Sequence, residues 1–166
     1  MSGTCSSCGR ALDAHDRHVR FTLPDPVLAS EGREHVSGAW LSHDDAWSSV
    51  MMQIPGVGPF VRCLLPIRLS GGHAVTFGVW VGVSPDDLQR AFRLWWAPEY
   101  AELVIEGLLA NALPGWGMLA APVRATVRNP DETPYCTRSA DPSLARLLTE
   151  EWPHEQVLAA VEQRYA

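Results

Sequence analysis

Apolar and polar positions alternate most regularly between Phe60 and Ser84. Over Phe60–Leu69, Val61, Cys63, Leu65, Ile67 and Leu69 share one face, and Phe60, Arg62, Leu64, Pro66 and Arg68 share the other. Over Ala74–Val83, Val75, Phe77, Val79, Val81 and Val83 lie opposite Thr76, Gly78, Trp80, Gly82 and Ser84. Successive side chains point to opposite sides of a strand, so each segment carries one apolar face. Ser70-Gly71-Gly72-His73 joins them, which predicts a β-hairpin with its apolar side in the core. Pro66 has no N–H to give, so the first strand is expected to be at an edge or bulged there. Gly78 and Gly82 leave room around Trp80. A helix packed over the indole is the expected occupant of that room, and a ligand platform is the alternative.

Weaker patterns flank the hairpin. Glu34–Leu41 and Trp47–Ile54 read as strands around the polar turn His43-Asp44-Asp45. Pro55–Pro59 is a turn without the spacing of a phosphate-binding loop. Ser84 as N-cap, Pro85 at the first helical position and Asp86-Asp87 in the first turn predict a helix. Its inward stripe is Leu88, Ala91, Phe92 and Trp95, and it stops before Pro98. A second helix is expected from Pro98, with Ala101, Val104, Ile105, Leu108, Leu109 and Ala112 as its stripe, ending at Leu113-Pro114-Gly115. Pro122–Arg128 alternates as a half-exposed strand, with Thr133–Arg138 as a short partner. Asp141-Pro142 opens a helix through Thr149, and Pro153 opens a last one. Strands run together before helices run together. That order predicts a single α+β domain: an antiparallel sheet of about five or six strands, helices packed on one face, and a loop-rich segment at 1–33.

Composition narrows the function more than the fold. The 166 residues are 46% hydrophobic and 19% charged, values of a globular domain. No apolar run approaches the roughly 20 residues of a membrane span, and the first residues lack the pattern of a signal peptide. The expected compartment is the cytoplasm, where thiols stay reduced. The net charge is −6 and all 13 cationic residues are arginine, without a basic cluster. A nucleic-acid backbone is therefore not the expected partner, nor is a membrane; an unidentified protein or a small molecule is.

The strongest chemical motif is Cys5-Ser6-Ser7-Cys8-Gly9. Two thiolates at this spacing reach one tetrahedral zinc ion, and the glycine supplies the backbone angles of the knuckle. His15 and His18 are the candidate further ligands, with Cys63 or Cys136 as others arriving in space. A redox role ranks lower, because no strand has room to precede Cys5. His43 with Asp45, or His73 at the hairpin turn, are the candidates for acid–base chemistry. Arg62, Arg68 and Trp80 on one hairpin face are the candidates for an arginine–tryptophan floor under an anionic or aromatic ligand. No Gly-x-Ser-x-Gly elbow, Walker loop or His-Glu-x-x-His is present.

Phe60-Val61-Arg62, Leu64-Leu65-Pro66-Ile67 and Phe77-Gly78-Val79-Trp80-Val81-Gly82-Val83-Ser84 together resemble a bacterial family, the domain-of-unknown-function family numbered 2199. Leu113-Pro114-Gly115-Trp116 resembles its Leu-Pro-Gly-aromatic turn, Asp141-Pro142-Ser143-Leu144-Ala145 a late Pro-Leu-Ala segment, and Cys5-x-x-Cys8-Gly9 its N-terminal knuckle. The chain departs from the pattern at Leu12, where many members carry a histidine, and at Ala46-Trp47, where members often have a cysteine. The resemblance implies a small single-domain protein and no particular activity. Two functions follow from the residues: a zinc-stabilised binding, regulatory or protective accessory protein, and, as the alternative, a small enzyme with an arginine- and tryptophan-lined pocket.

Overall fold

The computed structural model describes residues 17–30, 38–155 and 157. Within them the hairpin forms as the alternation predicts. Strand β4 (Gly58–Leu69) and strand β5 (His73–Gly82) pair antiparallel from Phe60 opposite Gly82 to Leu69 opposite His73. The turn between them is a short 3-10 segment, Ser70–Gly72, in which Gly71 and Gly72 take positive φ.

Three further strands close this hairpin into a barrel. β6 (Val104–Leu109) pairs with β5, β7 (Pro122–Thr126) with β6, and β8 (Tyr135–Arg138) with β7, all antiparallel. β8 then returns to β4 in parallel, at Leu64 opposite Tyr135. The remaining strands extend the sheet outward. β1 (Arg17–Arg20) lies parallel on β5, β3 (Met51–Ile54) antiparallel on β4, β2 (Trp40–Leu41) on β3, and β9 (Glu151–Trp152) parallel on β4. The α+β class stands, but the expected open sheet with helices on one face is replaced by a closed ring of five strands with four added at its margins.

Closure explains where the apolar faces go. Val61, Cys63, Leu65, Ile67 and Leu69 of β4 and Val75, Phe77, Val79 and Val81 of β5 are all fully buried and meet Ile105, Leu109, Val123, Ala125 and Cys136 of the other ring strands. Each such aliphatic or aromatic side chain contributes about 1.5–3 kcal/mol on leaving water. The opposite face of the hairpin has its own smaller core of Phe60, Trp80, Met52, Ile54 and Ala110. Val27 of helix α1 (Asp25–Ala29) completes it, so a helix does cover Trp80.

Helix α2 (Pro85–Trp95) begins where expected, with Ser84 Oγ accepting from Asp87 N at 3.1 Å. Helix α3 (Pro142–Thr149) is capped by Asp141, which accepts from Ser143 N and Leu144 N. Both pack against β4.

Pro66 sits where its missing donor costs nothing. The N–H groups of Arg62 and Leu64 point away from β5, to Val50 O and Pro134 O. Pro66 shares their parity, and on that side it falls between the end of β8 pairing at Leu64 and the start of β9 pairing at Arg68.

The segment 98–112 is a correction. Only Pro98–Glu102 is helical, as a 3-10 turn, and residues 104–109 form β6. A stripe at 101, 104, 105, 108, 109 and 112 fits a helix, but Ile105 and Leu109 are buried while Glu106 and Leu108 are exposed. Gly107 decides between the readings: a Cβ there would stand 2.1 Å from Gly82 O, so the close approach to β5 requires glycine. Of the expected strand Glu34–Leu41, residues 34–37 lie outside the described set, and among residues 38–41 Trp40–Leu41 pairs. Trp47–Ile54 is shorter than expected, since only Met51–Ile54 pairs. The last helix is described only at its start, from His154.

Candidate functional site

Arg62 and Trp80 do meet, but inside the protein. They are Cα partners across β4 and β5, both fully buried, with the guanidinium carbon 4.1 Å from the indole centroid. The arginine donates to four carbonyls: Nε to Ser49 O at 2.9 Å, Nη1 to Phe21 O at 2.7 Å and Gly78 O at 3.4 Å, and Nη2 to Ala46 O at 3.0 Å. Burial, and then the neighbouring charge of Arg20, pull its pKa down to about 9. The group therefore remains a cation at neutral pH, neutralised by carbonyl dipoles and the indole face. These bonds tie β5, the β1–α1 connection and the loop before β3 to one point.

The network continues through Trp80. Its Nε1 donates to Thr22 O at 3.2 Å, and its backbone N donates to Asn111 Oδ1 at 2.8 Å. Asn111 Nδ2 donates to Leu23 O and Asp25 Oδ1, and Asp25 Oδ2 accepts from Ala112 N at 2.7 Å. Among the described residues every buried side-chain polar atom in this chain of contacts has a protein partner, and the indole is fully buried. The expected ligand floor of Arg62 and Trp80 is thus a structural core. Arg68, the third member, is exposed on β4 and donates from Nη2 to Thr149 O in the last turn of α3.

The acid–base candidates are tied into turns. Asp45 accepts from Ser48 N at 2.8 Å and Ser48 Oγ at 2.7 Å, and these bonds hold its carboxyl below the usual range. His43 is exposed, with Nδ1 2.9 Å from Ser42 Oγ. Their loop has a structural duty, since it presents Ala46 O and Ser49 O to Arg62. His73 is half-buried and lies edge-on to His154, ring centroids 5.7 Å apart. His154 Nδ1 is 2.6 Å from Ser70 Oγ, and that same oxygen accepts from His154 N at 3.1 Å. The pairing of His73 with His154 was not legible in the sequence.

Of the proposed metal ligands, Cys5, Cys8 and His15 lie outside the described residues. His18 is exposed on β1, opposite Thr76. Cys63 and Cys136 are both free and enclosed in the barrel; hydrogen bonding to Cys136, then burial, push the Cys63 thiol well up, so it stays protonated. Among the described residues no three His, Cys, Asp or Glu side chains group as a metal site.

An open site lies elsewhere, between α2 and the outer strands. Trp40 and Gln53 are opposite one another on β2 and β3. Facing them on α2 are Leu88, Gln89, Phe92 and Arg93, around a groove of about 380 Å³. Trp40 and Phe92 meet edge to face at 5.7 Å, and Phe92 and Trp96 at 5.4 Å. The three rings are 37%, 48% and 60% exposed. Phe92 is a second correction: Leu88 and Ala91 take the inward positions, and Phe92, one turn beyond Leu88, stands at the helix margin. The signal was in the sequence. Leu88, Phe92 and Trp96 recur at intervals of four, a stripe too long for what α2 buries.

Contiguous exposed rings beside a groove mark surfaces that bind. Here the walls are aromatic and the rim carries two amides and one guanidinium. That arrangement can hold a flat apolar body and pair with a negative substituent.

A family model described as an uncharacterized protein conserved in bacteria (DUF2199) matches residues 4–145. No curated protein and no solved structure matches the chain.

Proposed function

Since the chain belongs to the DUF2199 family of bacterial proteins, whose description carries no activity, we propose from the geometry that it is a binding protein whose ligand is a small molecule with an aromatic body and an anionic group. The observation that carries this reading is the exposed run of Trp40, Phe92 and Trp96 along a groove edged by Arg93. The size supports it, since about 380 Å³ falls in the range of small-molecule sites. A role without chemistry of its own is supported by the state of the acid–base candidates: Asp45 closes a turn, and His43 bonds its neighbouring serine.

The test is titration with 1-anilinonaphthalene-8-sulfonate, an aromatic sulfonate whose fluorescence reports an apolar site. Saturable binding is expected at one site, weakened at least tenfold by Phe92→Ala and several-fold by Arg93→Gln. Equal binding by wild type and both variants overturns the reading, provided that circular dichroism shows all three folded.

Zinc belongs to the same proposal as a structural cofactor. The spacing Cys5-x-x-Cys8-Gly9 supports it, and metal analysis tests it.

A further inference from the structure

The outer face of the barrel at β6, β7 and β8 carries charges in an arrangement that a strand pair does not favour. Arg124 of β7 lies directly opposite Arg138 of β8. Like charges opposite each other across a strand pair destabilise it. Both residues are exposed, on a protein of net charge −6.

The juxtaposition depends on a bulge. Thr126 pairs with Tyr135 and Ala125 with Cys136, so a regular ladder would set Arg124 opposite Thr137. The register instead shifts by one between Arg124 and Ala125, which leaves Thr137 over and brings Arg138 opposite Arg124. Cys136 faces inward, so without the extra residue Arg138 would share its side of the strand. The bulge therefore turns the second arginine outward, to stand beside the first. Bulges that re-aim a side chain in this way gather beside functional sites. Thr137 Oγ1 donates to Arg124 O at 3.3 Å across the shift. Ser139 Oγ, just beyond, donates to Pro122 O at 2.5 Å and accepts from Asp141 N at 3.0 Å, which fixes the end of the strand.

One carboxylate faces the pair. Glu106 of β6 is the Cα partner of Arg124 on its other side and reaches Arg124 Nη1 at 3.9 Å, itself 68% exposed. Among the described residues no carboxylate pairs with Arg138, so this row across three strands keeps a net positive charge. Hollows lie on both sides of the two arginines. One of about 410 Å³ is bounded by Glu106, Gly107, Pro122, Val123 and Ser139, and one of about 330 Å³ by Thr126 and Thr137.

We propose that Arg124 and Arg138 form a binding site for a phosphate group, as the free ion or as a phosphomonoester on a small molecule. Two guanidiniums side by side offer paired N–H donors to a tetrahedral oxyanion, and a dianion between them turns their repulsion into attraction. The overall negative charge disfavours a long polyanion and leaves a small one. This site is independent of the aromatic groove and stands or falls without it.

The experiment is a thermal-unfolding titration with inorganic phosphate, at ionic strength held constant with sodium chloride. A parallel arm uses phenyl phosphate to separate the free ion from the ester. Wild type is expected to gain about 2–5 °C in midpoint at ten times the dissociation constant. Arg138→Gln is expected to lose that gain and to melt higher than wild type in the absence of phosphate, because the repulsion is gone. Arg90→Gln, on α2, is expected to keep the full response. Amide and arginine side-chain NMR shifts of the wild type, saturating at residues 124 and 138, locate the site even if a variant fails to fold. Phosphate acting no differently from chloride, Arg138→Gln and Arg90→Gln responding alike, or shifts that avoid 124 and 138 each overturn the proposal.

Discussion

The guanidinium of Arg62 meets two partners at once: the Trp80 ring, its centroid 4.1 Å away, and, through Nη1, the carbonyl of Phe21 at 2.7 Å. An arginine in such a place is bonded by four backbone carbonyls of three segments rather than by a carboxylate. Its removal leaves buried acceptors unmet, and each unmet group costs about 1–3 kcal/mol. Arg62→Met is expected to lower stability by about 3–5 kcal/mol in urea unfolding, with an unchanged slope. Arg62→Lys is expected to recover less than half of that loss, since an ammonium cannot reach carbonyls spread around a planar fork.

Gly107→Ala tests ring closure. The added Cβ meets Gly82 O at 2.1 Å, a backbone atom that cannot swing aside. The expected cost is about 2–4 kcal/mol, read as a fall in urea midpoint. Faster hydrogen exchange at the amides of residues 81, 82, 108 and 109 would place the damage at the β5–β6 seam.

Alkaline pH is expected to unfold the protein through three groups. Hydrogen bonding to Cys136 and burial raise Cys63, burial raises Tyr100, and a hydrogen bond to Glu132 raises Tyr135. Raised folded-state values mean that stability is complete below the ordinary values, 9.0 for cysteine and 10.0 for tyrosine, and is lost as pH climbs above them. Arg62 acts in the opposite sense: its folded value of about 9 lies below 12.5, so its own contribution rises with pH between the two. Arg20, lowered by burial, acts in the same sense as Arg62. Above pH 10 the three raised groups outnumber these two, and the midpoint is expected to fall from about pH 10 upward. Tyr100→Phe is expected to shallow that fall while losing the bond from Tyr100 Oη to Glu132 O at 2.5 Å.

The metal proposal has its own reading. Protein purified without added metal or chelator is expected to hold one equivalent of zinc, and Cys5→Ser to lose it together with several degrees of melting temperature. A folded, zinc-free wild type sinks the proposal and leaves the barrel untouched.

What the sequence made legible follows from how local each signal is. The hairpin, the Ser84 and Asp141 caps and α3 rest on alternation, proline and short polar side chains, which act within a few residues. The barrel rests on Leu64 meeting Tyr135 and on Gly107 meeting Gly82, pairings between distant segments that no periodicity announces. The same limit explains the site. Arg62 and Trp80 share a hairpin face as the alternation predicts, but that face is buried. The face of a strand is visible in a sequence, whereas whether α1 will close over that face is not. Phe92 and Trp96 belonged to a stripe that was legible, and Trp40 reaches them only through the tertiary fold.

The outer edge of β4 is covered in relay, by β3 at Gly58–Val61, by β8 at Leu64 and by β9 at Arg68–Leu69. The last two covers come from chain some seventy to eighty residues further on. A growing polypeptide therefore carries this apolar strand half bare until the ribosome has made residues 135 and 151–152, a ready template for another copy to pair with. Chaperone demand should peak in that interval. Nascent chains arrested after residue 130 should cross-link to one another through β4, and the released, folded protein should not.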